Sequence, residues 1–187
     1  MLFFDQVKTS LRGRAPTRMR RPEAAWAAVA VILAPPEDAA VLMIRRAERA
    51  GDRWSGHIGL PGGRRDPEDR DLLATALRET REETGIELGP GDLLGELDDL
   101  GPRAVGAPAI LVRPFVFGLA LRPPVAPSEE VADHFWFPLA GLRARGAGVE
   151  VAVPDVPRKV RAYLLDAHVV WGLTHRILAQ LVDRLTV

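Results

Sequence analysis

Cysteine is missing from this chain of 187 residues, which excludes disulfide bonds, catalytic thiols and thiolate metal ligands. Lysine is scarce as well: Lys8 and Lys159 are the only two, so arginine supplies almost all of the positive charge. Acidic and basic side chains balance at 25 each, and a neutral chain has no basic field that would favour nucleic acid as a partner. The longest apolar run, from Ala24 to Pro36, is shorter than the roughly 20 residues that a membrane span needs.

What remains is the composition of an ordinary globular protein, with 47% apolar and 27% charged residues. A chain of this length can form one domain that buries about 70% of its unfolded-chain surface. The apolar N-terminus is interrupted at Asp5 and no cleavage region follows, so we expect no signal peptide and a cytoplasmic protein.

We predict two parts: an N-terminal helix with a basic linker over residues 1–23, and one domain over residues 24–187. The helix is indicated by apolar residues at helical spacing, namely Leu2, Phe3, Val7 and Leu11. It packs either on the domain or on a second subunit, so a homodimer remains open. The basic, proline-broken residues 12–22 are interpreted as a solvated linker, with an arm that faces phosphate or a second subunit as the alternative.

Residues 60–86 (LPGGRRDPEDRDLLATALRETREETGI) carry the clearest functional pattern. Apolar positions at three- and four-residue spacing predict a helix; they are Leu73, Ala76, Leu77 and Thr80. Glu79, Glu82 and Glu83 crowd beside this stripe, although like charges at such spacing cost a helix roughly 0.2–0.5 kcal/mol per pair. A hard divalent cation held by carboxylate oxygens would offset that cost. A solvated charged surface is the alternative.

Two neighbouring features favour the cation over the solvated surface. Gly85 stands where a glycine ends a helix, directly after the glutamates. The turn Pro61-Gly62-Gly63 lies upstream, and glycine lets the backbone approach a ligand closely. Turn, acidic loop and glutamate-rich helix together are more specific than any one of them.

The other apolar segments predict strands around this helix. We place them at residues 24–33, 41–46, 92–100, 110–121, 131–139, 149–153 and 163–165. Pro114 favours an edge position or a bulge for its strand. Residues 172–185 predict an amphipathic packing helix, with His175 on its polar face.

Residues 45–59 are rich in arginine and glycine and are interpreted as a loop over the site. The arginines at positions 45, 46, 49 and 53 either clamp phosphate oxygens or pair with surface acids, and the residues alone leave both open. His57 in this loop is more often bonded to backbone than catalytic.

Residues 63–86 resemble the Nudix box, the signature of the Nudix hydrolases. The segment Arg78-Glu79-Thr80-Arg81-Glu82-Glu83-Thr84-Gly85-Ile86 matches its second half throughout. The resemblance implies an α/β fold, a Nudix-like α/β/α sandwich with a central mixed sheet. The first half departs from the pattern: counted back from Arg78, the usual glutamate falls at Arg70 and the usual glycine at Arg64. The loop is one residue longer, and Asp66, Glu68 and Asp69 offer the acidity instead.

Beyond the box, the chain resembles the coenzyme A pyrophosphatase branch over roughly residues 24–185. The shared segments are Pro61-Gly62-Gly63, Ala76-Leu77-Arg78-Glu79, Gly95-Glu96-Leu97-Asp98-Asp99 and Trp171-Gly172-Leu173-Thr174. This branch commonly has Gly-Gln-Val-Ser-Phe before the Pro-Gly-Gly turn, whereas this chain has Gly56-His57-Ile58-Gly59-Leu60. The departure touches the loop that is expected to meet the substrate.

The resemblance implies a metal-dependent pyrophosphohydrolase acting on coenzyme A or an acylated or oxidised form. Mg²⁺ or Mn²⁺ would be held by Glu79, Glu82, Glu83 and the Gly63 carbonyl. The residues with catalytic roles would be Glu82, Glu83, Arg78, which orients the glutamates, and Glu130, with Glu129 and Glu96 as alternative bases. Substrate would be bound by Arg46, Arg53, Gly62 and Gly63. The alternatives are another nucleoside diphosphate derivative such as ADP-ribose, or a non-catalytic binding module.

Overall fold

The computed structural model describes residues 2–21, 23–35, 39–51, 54–101, 110–153, 156 and 159–185 of the chain. Its helices are α1 (Leu2–Arg12), α2 (Leu72–Thr84), α3 (Leu139–Ala144) and α4 (Gly172–Arg184). Its strands are β1 (Ala25–Ala34), β2 (Ala40–Arg46), β3 (Ile58–Gly59), β4 (Gly62–Arg64), β5 (Leu93–Glu96), β6 (Ile110–Gly118), β7 (Val131–Pro138), β8 (Val149–Val151), β9 (Val160–Leu165) and β10 (His168–Trp171).

The main sheet is mixed, as predicted. β1 and β6 run parallel, while the other pairings are antiparallel, in the order β3-β2-β1-β6-β5 with β4 on β1 and β7 on β2. Side chains of β1 alternate between two cores: Val31 and Leu33 face α1 and α4, whereas Ala30 and Ile32 face α2. Because both faces are buried, this strand is apolar throughout rather than alternating. The α/β sandwich with helices on both faces is confirmed.

The sheet divides between β1 and β2. The two strands pair only at Leu33–Val41 and Ala34–Ala40. Beyond that point β1 pairs with β4, where Val29 lies opposite Gly62, and β2 pairs with β3. The strands therefore separate, and a cleft opens between the two halves.

The segment after α1 is largely exposed, as expected for a solvated linker, and hydrogen bonds attach it to the domain. Thr17 donates its backbone N–H to Asp98 at 2.8 Å and accepts one from Asp99 at 3.0 Å. Arg18 Nη1 donates to the buried carboxylate of Asp99 at 3.1 Å. The acids that follow β5 give the basic segment its partners, and α1 buries Leu11 against the same domain.

Pro114 lies in an interior strand, so the predicted edge position is wrong. β6 lies between β1 and β5, and an irregularity of register occurs instead in β5, between Leu93 and Gly95. The Leu97 N–H donates to the Pro114 carbonyl at 3.0 Å, but proline has no N–H to return. Arg18 donates to the Leu97 carbonyl at 2.9 Å in its place, which satisfies the acceptor that the proline leaves open.

The remaining strands form a second sheet, β10-β9-β8, beside α4. His175 on α4 is only 6% exposed, and its Nε2 lies 3.0 Å from the Ala147 carbonyl. The predicted place on a polar face is therefore wrong, and burial lowers the pKa of this histidine. Within the described residues, no helix has the length and apolar character that crossing a membrane requires.

Thr80 provides a test of how α2 packs on the sheet. Its side chain is fully buried, and within the described part of the chain its hydroxyl has no hydrogen-bond partner. We expect Thr80→Val, which keeps the shape and removes the hydroxyl, to raise the free energy of unfolding by about 1 kcal/mol in urea denaturation. Thr84→Val is the matched control, because its hydroxyl donates to the Thr80 carbonyl at 2.6 Å; that variant should be destabilised. A loss of stability in Thr80→Val would contradict the assignment.

Candidate active site

A side chain caps the start of α2, and the backbone caps its end. The Asp71 carboxylate accepts the Ala74 N–H at 2.8 Å at the start, and Gly85 ends the helix with a φ of 70°. The Gly85 N–H donates to the Arg81 carbonyl at 2.9 Å. The predicted stop at Gly85 is confirmed, and it places Glu79, Glu82 and Glu83 in the last turns of the helix.

The two glycines of β4 allow unusually close approaches, Gly62 to β1 and Gly63 to α2. Gly62 has a φ of 149°, and a Cβ there would lie 2.3 Å from the Ala28 carbonyl oxygen. A Cβ on Gly63 would lie 2.4 Å from Cδ of Glu79. The carboxylate of Glu79 therefore lies directly on the backbone of Gly63, in space that any other residue would occupy.

Glu83 is the most buried carboxylate of the group. Its side chain is 4% exposed, Oε2 accepts the Gly62 N–H at 2.9 Å, and Oε1 lies 4.0 Å from Arg46 Nη1. Burial raises the pKa of Glu83 to about 7, and repulsion from Glu79 adds to the effect. Burial also raises the pKa of Glu79. Two desolvated carboxylates side by side favour a bound cation.

Arg78 organises the acidic groups around α2. Its Nε and Nη2 each lie 3.0 Å from an oxygen of Asp69, a bidentate pair. Nη1 donates to Glu79 at 2.8 Å and to Glu82 at 2.9 Å, and Nη2 also donates to the Arg64 carbonyl. The hydrogen bonds from Arg78 lower the pKa of Asp69 to about 2. Glu82 is directed towards Arg78, with its side chain 51% exposed.

Asp69 is the carboxylate that the sequence left unassigned. Family spacing counted back from Arg78 falls on Arg70, but the same glycine-to-acid separation counted forward from Gly63 falls on Asp69. The extra residue therefore lies between this acid and the helix, where Asp71 caps α2. Counting from both ends of the box was the signal that identifies Asp69.

The loop before β7 brings another carboxylate to the site. Backbone N–H groups of Ala126 and Ser128 donate to the carbonyls of Thr84 and Glu83, at 2.8 and 3.0 Å. These bonds satisfy helix-end carbonyls and place Glu130 beside the end of α2. Glu130 lines the cleft, and its Oε1 lies 3.0 Å from Arg49 Nη1.

Four other residues named in the sequence analysis remain to be placed: the two alternative bases and two residues of the loop over positions 45–59. Glu96 on β5 pairs with Arg18 away from the cleft, and Glu129 is exposed without lining it. His57 lines the cleft with its ring 4.9 Å from that of Trp171. Arg53 lies outside the described residues.

Glu79, Glu83 and Glu130 line one cleft of about 470 Å³. One side is polar and contains Arg46, Gly62, Gly63, Arg64, Glu79, Glu83 and Glu130. The other is largely apolar and contains Val29, Trp54, Ile110, Val112, Trp171, Leu173 and Ile177. A ligand with a charged part and an apolar part therefore suits this cleft, and the apolar side was not identified from the sequence.

The residues of the polar side fit a hard cation by their chemistry. Glu79 and Glu83 offer carboxylate oxygens in a desolvated setting, and the Glu79 carboxylate occupies the space that a side chain at position 63 would fill. Nowhere in the described ranges do three histidine or acidic side chains already form a group that could hold a metal ion. Two carboxylates with substrate oxygens and water can hold such a cation, and a further carboxylate that turned towards this pair would extend the ligand set.

Comparisons with known proteins agree with this geometry. A family model described as NUDIX domain matches residues 25–154. The Nudix hydrolase NudL of Photorhabdus laumondii is 32% identical over 78% of this chain and 78% of its own. Human mitochondrial coenzyme A diphosphatase NUDT8 is 35% identical over 72% of this chain and 58% of its own.

The matches cover only part of some relatives, and a solved structure shares the fold. The chain spans between 32% and 78% of the length of the first relatives that it matches. The crystal structure of a MutT/nudix family protein from Enterococcus faecalis superposes with a TM-score of 0.65 at 16% identity, covering 97% of this chain and 73% of that one. That likeness shows the shared fold.

Asp69→Asn tests the bidentate pair with Arg78. We expect a loss of about 2 kcal/mol in the free energy of unfolding, because Arg78 keeps its glutamate partners but loses a buried carboxylate. The folded pKa of Asp69 is lower than its ordinary value of 3.8, so the wild-type advantage is complete above about pH 4 and disappears as the pH falls towards 2. Urea denaturation across this range measures it, with exposed Glu68→Gln as the matched control. A difference independent of pH would contradict the ion pair.

Gly63→Ala tests the close contact between the Gly63 backbone and the Glu79 carboxylate. The new methyl group would displace the flexible end of Glu79 rather than backbone, so the protein should fold while binding Mn²⁺ at least about tenfold more weakly. Calorimetric titration measures the affinity. Gly59→Ala is the control, since a Cβ there meets nothing within 4 Å in the described structure. Equal Mn²⁺ affinities in the two variants would contradict the role of Gly63.

Proposed function

This chain belongs to the Nudix family of pyrophosphohydrolases, and we propose that it cleaves the diphosphate linkage of coenzyme A or an acylated or oxidised form. The products would be a phosphopantetheine and adenosine 3′,5′-bisphosphate. The observation that carries this proposal is the cleft itself, which desolvated Glu79 and Glu83 line together with a set of apolar side chains. The relative whose name contains coenzyme A diphosphatase adds support.

The polar side of the cleft suits a diphosphate. Nudix hydrolases generally use divalent cations, and we propose that Mg²⁺ or Mn²⁺ is held here by Glu79, Glu82, Glu83 and the Gly63 carbonyl. When bound, such a cation neutralises the diphosphate and lowers the pKa of an attacking water. Glu82 Oε2 accepts a hydrogen bond from Arg78 at 2.9 Å, and its other carboxylate oxygen would serve as the ligand.

The protein's own groups supply orientation and proton transfer. Arg78 holds Glu79 from one side while Gly62 holds Glu83 from the other, so two ligands are oriented before substrate arrives. Arg46 and Gly62 line the cleft where phosphate oxygens would lie. Glu130 is our candidate for the further carboxylate of the site, either as a cation ligand or as the base that accepts the proton of the attacking water.

The apolar side of the cleft suits the part of the substrate that is not a nucleotide. Ile110 and Val112 project from β6, and Leu173 and Ile177 project from α4. A pantetheine arm, with or without an acyl group, would remove this surface from water at roughly 25 cal/mol per Å². ADP-ribose, the competing substrate, has a second polar ribose to place there and gains less.

The deciding measurement is a substrate panel of coenzyme A, ADP-ribose and nucleoside triphosphates, with the nucleotide products separated and quantified by chromatography. We expect the highest kcat/KM for coenzyme A or an acyl-coenzyme A. Glu83→Gln should lower kcat roughly 100-fold or more, because it removes a charge that acts on the reacting phosphates. Exposed Glu87→Gln is the matched control.

Each outcome of the panel has a defined meaning. Preference for ADP-ribose would replace the substrate and keep the chemistry. Near-wild-type turnover of Glu83→Gln at saturating Mg²⁺ would contradict the assigned site. Failure to hydrolyse any compound, together with retained binding, would favour a non-catalytic binding module.

A further inference from the structure

One contact at the cleft has no role in the chemistry proposed above: the ion pair between Arg49 and Glu130. The Arg49 Nη1 atom lies 3.0 Å from Glu130 Oε1, and each side chain is 50% exposed. Exposed pairs of this kind add little stability because water and salt screen them. A partner with more charge can therefore displace either member.

The backbones on both sides of this pair are fixed. Pairing of β2 with β7 shifts register between Arg45 and Arg46, yet it continues to Ala47, whose N–H donates to the Glu130 carbonyl at 2.8 Å. The Arg49 N–H is bonded to the Ser55 hydroxyl at 2.9 Å. Side-chain rotation is thus the movement that separates the two groups, and a bulge beside a site commonly directs side chains in this way.

Glu130 is close enough to Glu79 and Glu83 to repel both. Its negative charge helps to raise the pKa of each, although burial and the nearer charged groups have larger effects. Its present partner is nevertheless Arg49. This arrangement is consistent with the lack of any ready group of three metal-binding side chains within the described ranges. Glu130 could be the third member of such a group, but its Oε1 is paired with the Arg49 guanidinium.

We propose that Arg49 is a positioning residue that holds Glu130 in the free protein and releases it when a substrate diphosphate becomes the partner of Arg49. The inference rests on the proposed function, since it requires a diphosphate substrate and a divalent cation. A diphosphate carries more charge than a carboxylate and offers paired oxygens that match the planar guanidinium. Glu130, once released, turns towards Glu79 and Glu83, so that substrate binding completes the cation site.

The first test measures Mn²⁺ affinity of the free protein, from the electron paramagnetic resonance signal of unbound Mn²⁺. Arg49→Gln should bind Mn²⁺ at least about fivefold more tightly than wild type, because Glu130 is then available without substrate. Arg70→Gln is the matched control: this exposed guanidinium pairs with Asp71 at 3.4 Å, and its loss should leave the affinity unchanged. Equal affinities in wild type and Arg49→Gln, or binding in neither, would overturn the inference.

The second test separates release of Glu130 from a general change in charge. The gain in Mn²⁺ affinity should vanish in Arg49→Gln/Glu130→Gln, compared with Glu130→Gln alone. A gain that persists would mean that Arg49 merely repels the cation, and it would overturn the inference. Both side chains are half exposed, so all the variants should fold with melting temperatures close to wild type.

A kinetic readout distinguishes this inference from the proposed function. Arg49→Gln should raise KM about tenfold with little change in kcat, since a ground-state contact is lost, and Arg49→Lys should recover part of it. Unchanged KM would overturn the release by substrate. The Mn²⁺ measurements need no turnover, so failure of the substrate panel removes the proposed function, whereas unaltered Mn²⁺ affinity in an active enzyme removes only the role of Arg49.

Discussion

The site depends on one guanidinium. Arg78 binds Asp69 through two atoms and Glu79 and Glu82 through a third. One guanidinium therefore fixes the position of the loop that contains Asp69 relative to α2. An arginine is suited to this because its donors are planar, fixed and charged at every ordinary pH. The arrangement also separates two roles among the acids: Asp69 is bound to arginine on both oxygens, whereas Glu79 keeps an oxygen for the cleft.

Desolvation raises the pKa of every buried carboxylate of the site, and the partners of each group decide whether its net shift is upward or downward. Asp69 is as buried as Glu83 is, within a few per cent, yet the pKa of Asp69 falls and that of Glu83 rises. The difference lies in the charge nearby, since Arg78 contacts Asp69 directly while Arg46 lies 4.0 Å from Glu83. A carboxylate that is buried without a close cation has a high free energy when charged, and this is the physical reason to expect a metal beside Glu83.

Local sequence patterns predicted the part of the molecule that local physics determines. The sequence predicted the helical periodicity of α2, its end at Gly85 and the apolar strand β1. Residue spacing and glycine conformation, which determine these features, act within a few residues. Asp69 required the loop length to be counted from both ends. The position of Pro114 was wrong because a distant residue, Arg18, satisfies the acceptor that proline leaves open. The apolar wall was missed since it combines β6 with α4, and such pairings are set by tertiary packing that no short pattern encodes.

The segment before β1 acquires a meaning beyond that of a connection. The family match begins at residue 25, yet residues that precede it contact β5 and the segment after it: Leu11 packs on Gly95, and Thr17 donates its N–H to the Asp98 carboxylate and accepts the Asp99 N–H. An outer strand whose backbone groups are unpaired is a template on which another chain can add. The residues before the family match pack on the domain next to the outer strand β5, so the contacts of that strand extend beyond the matched residues.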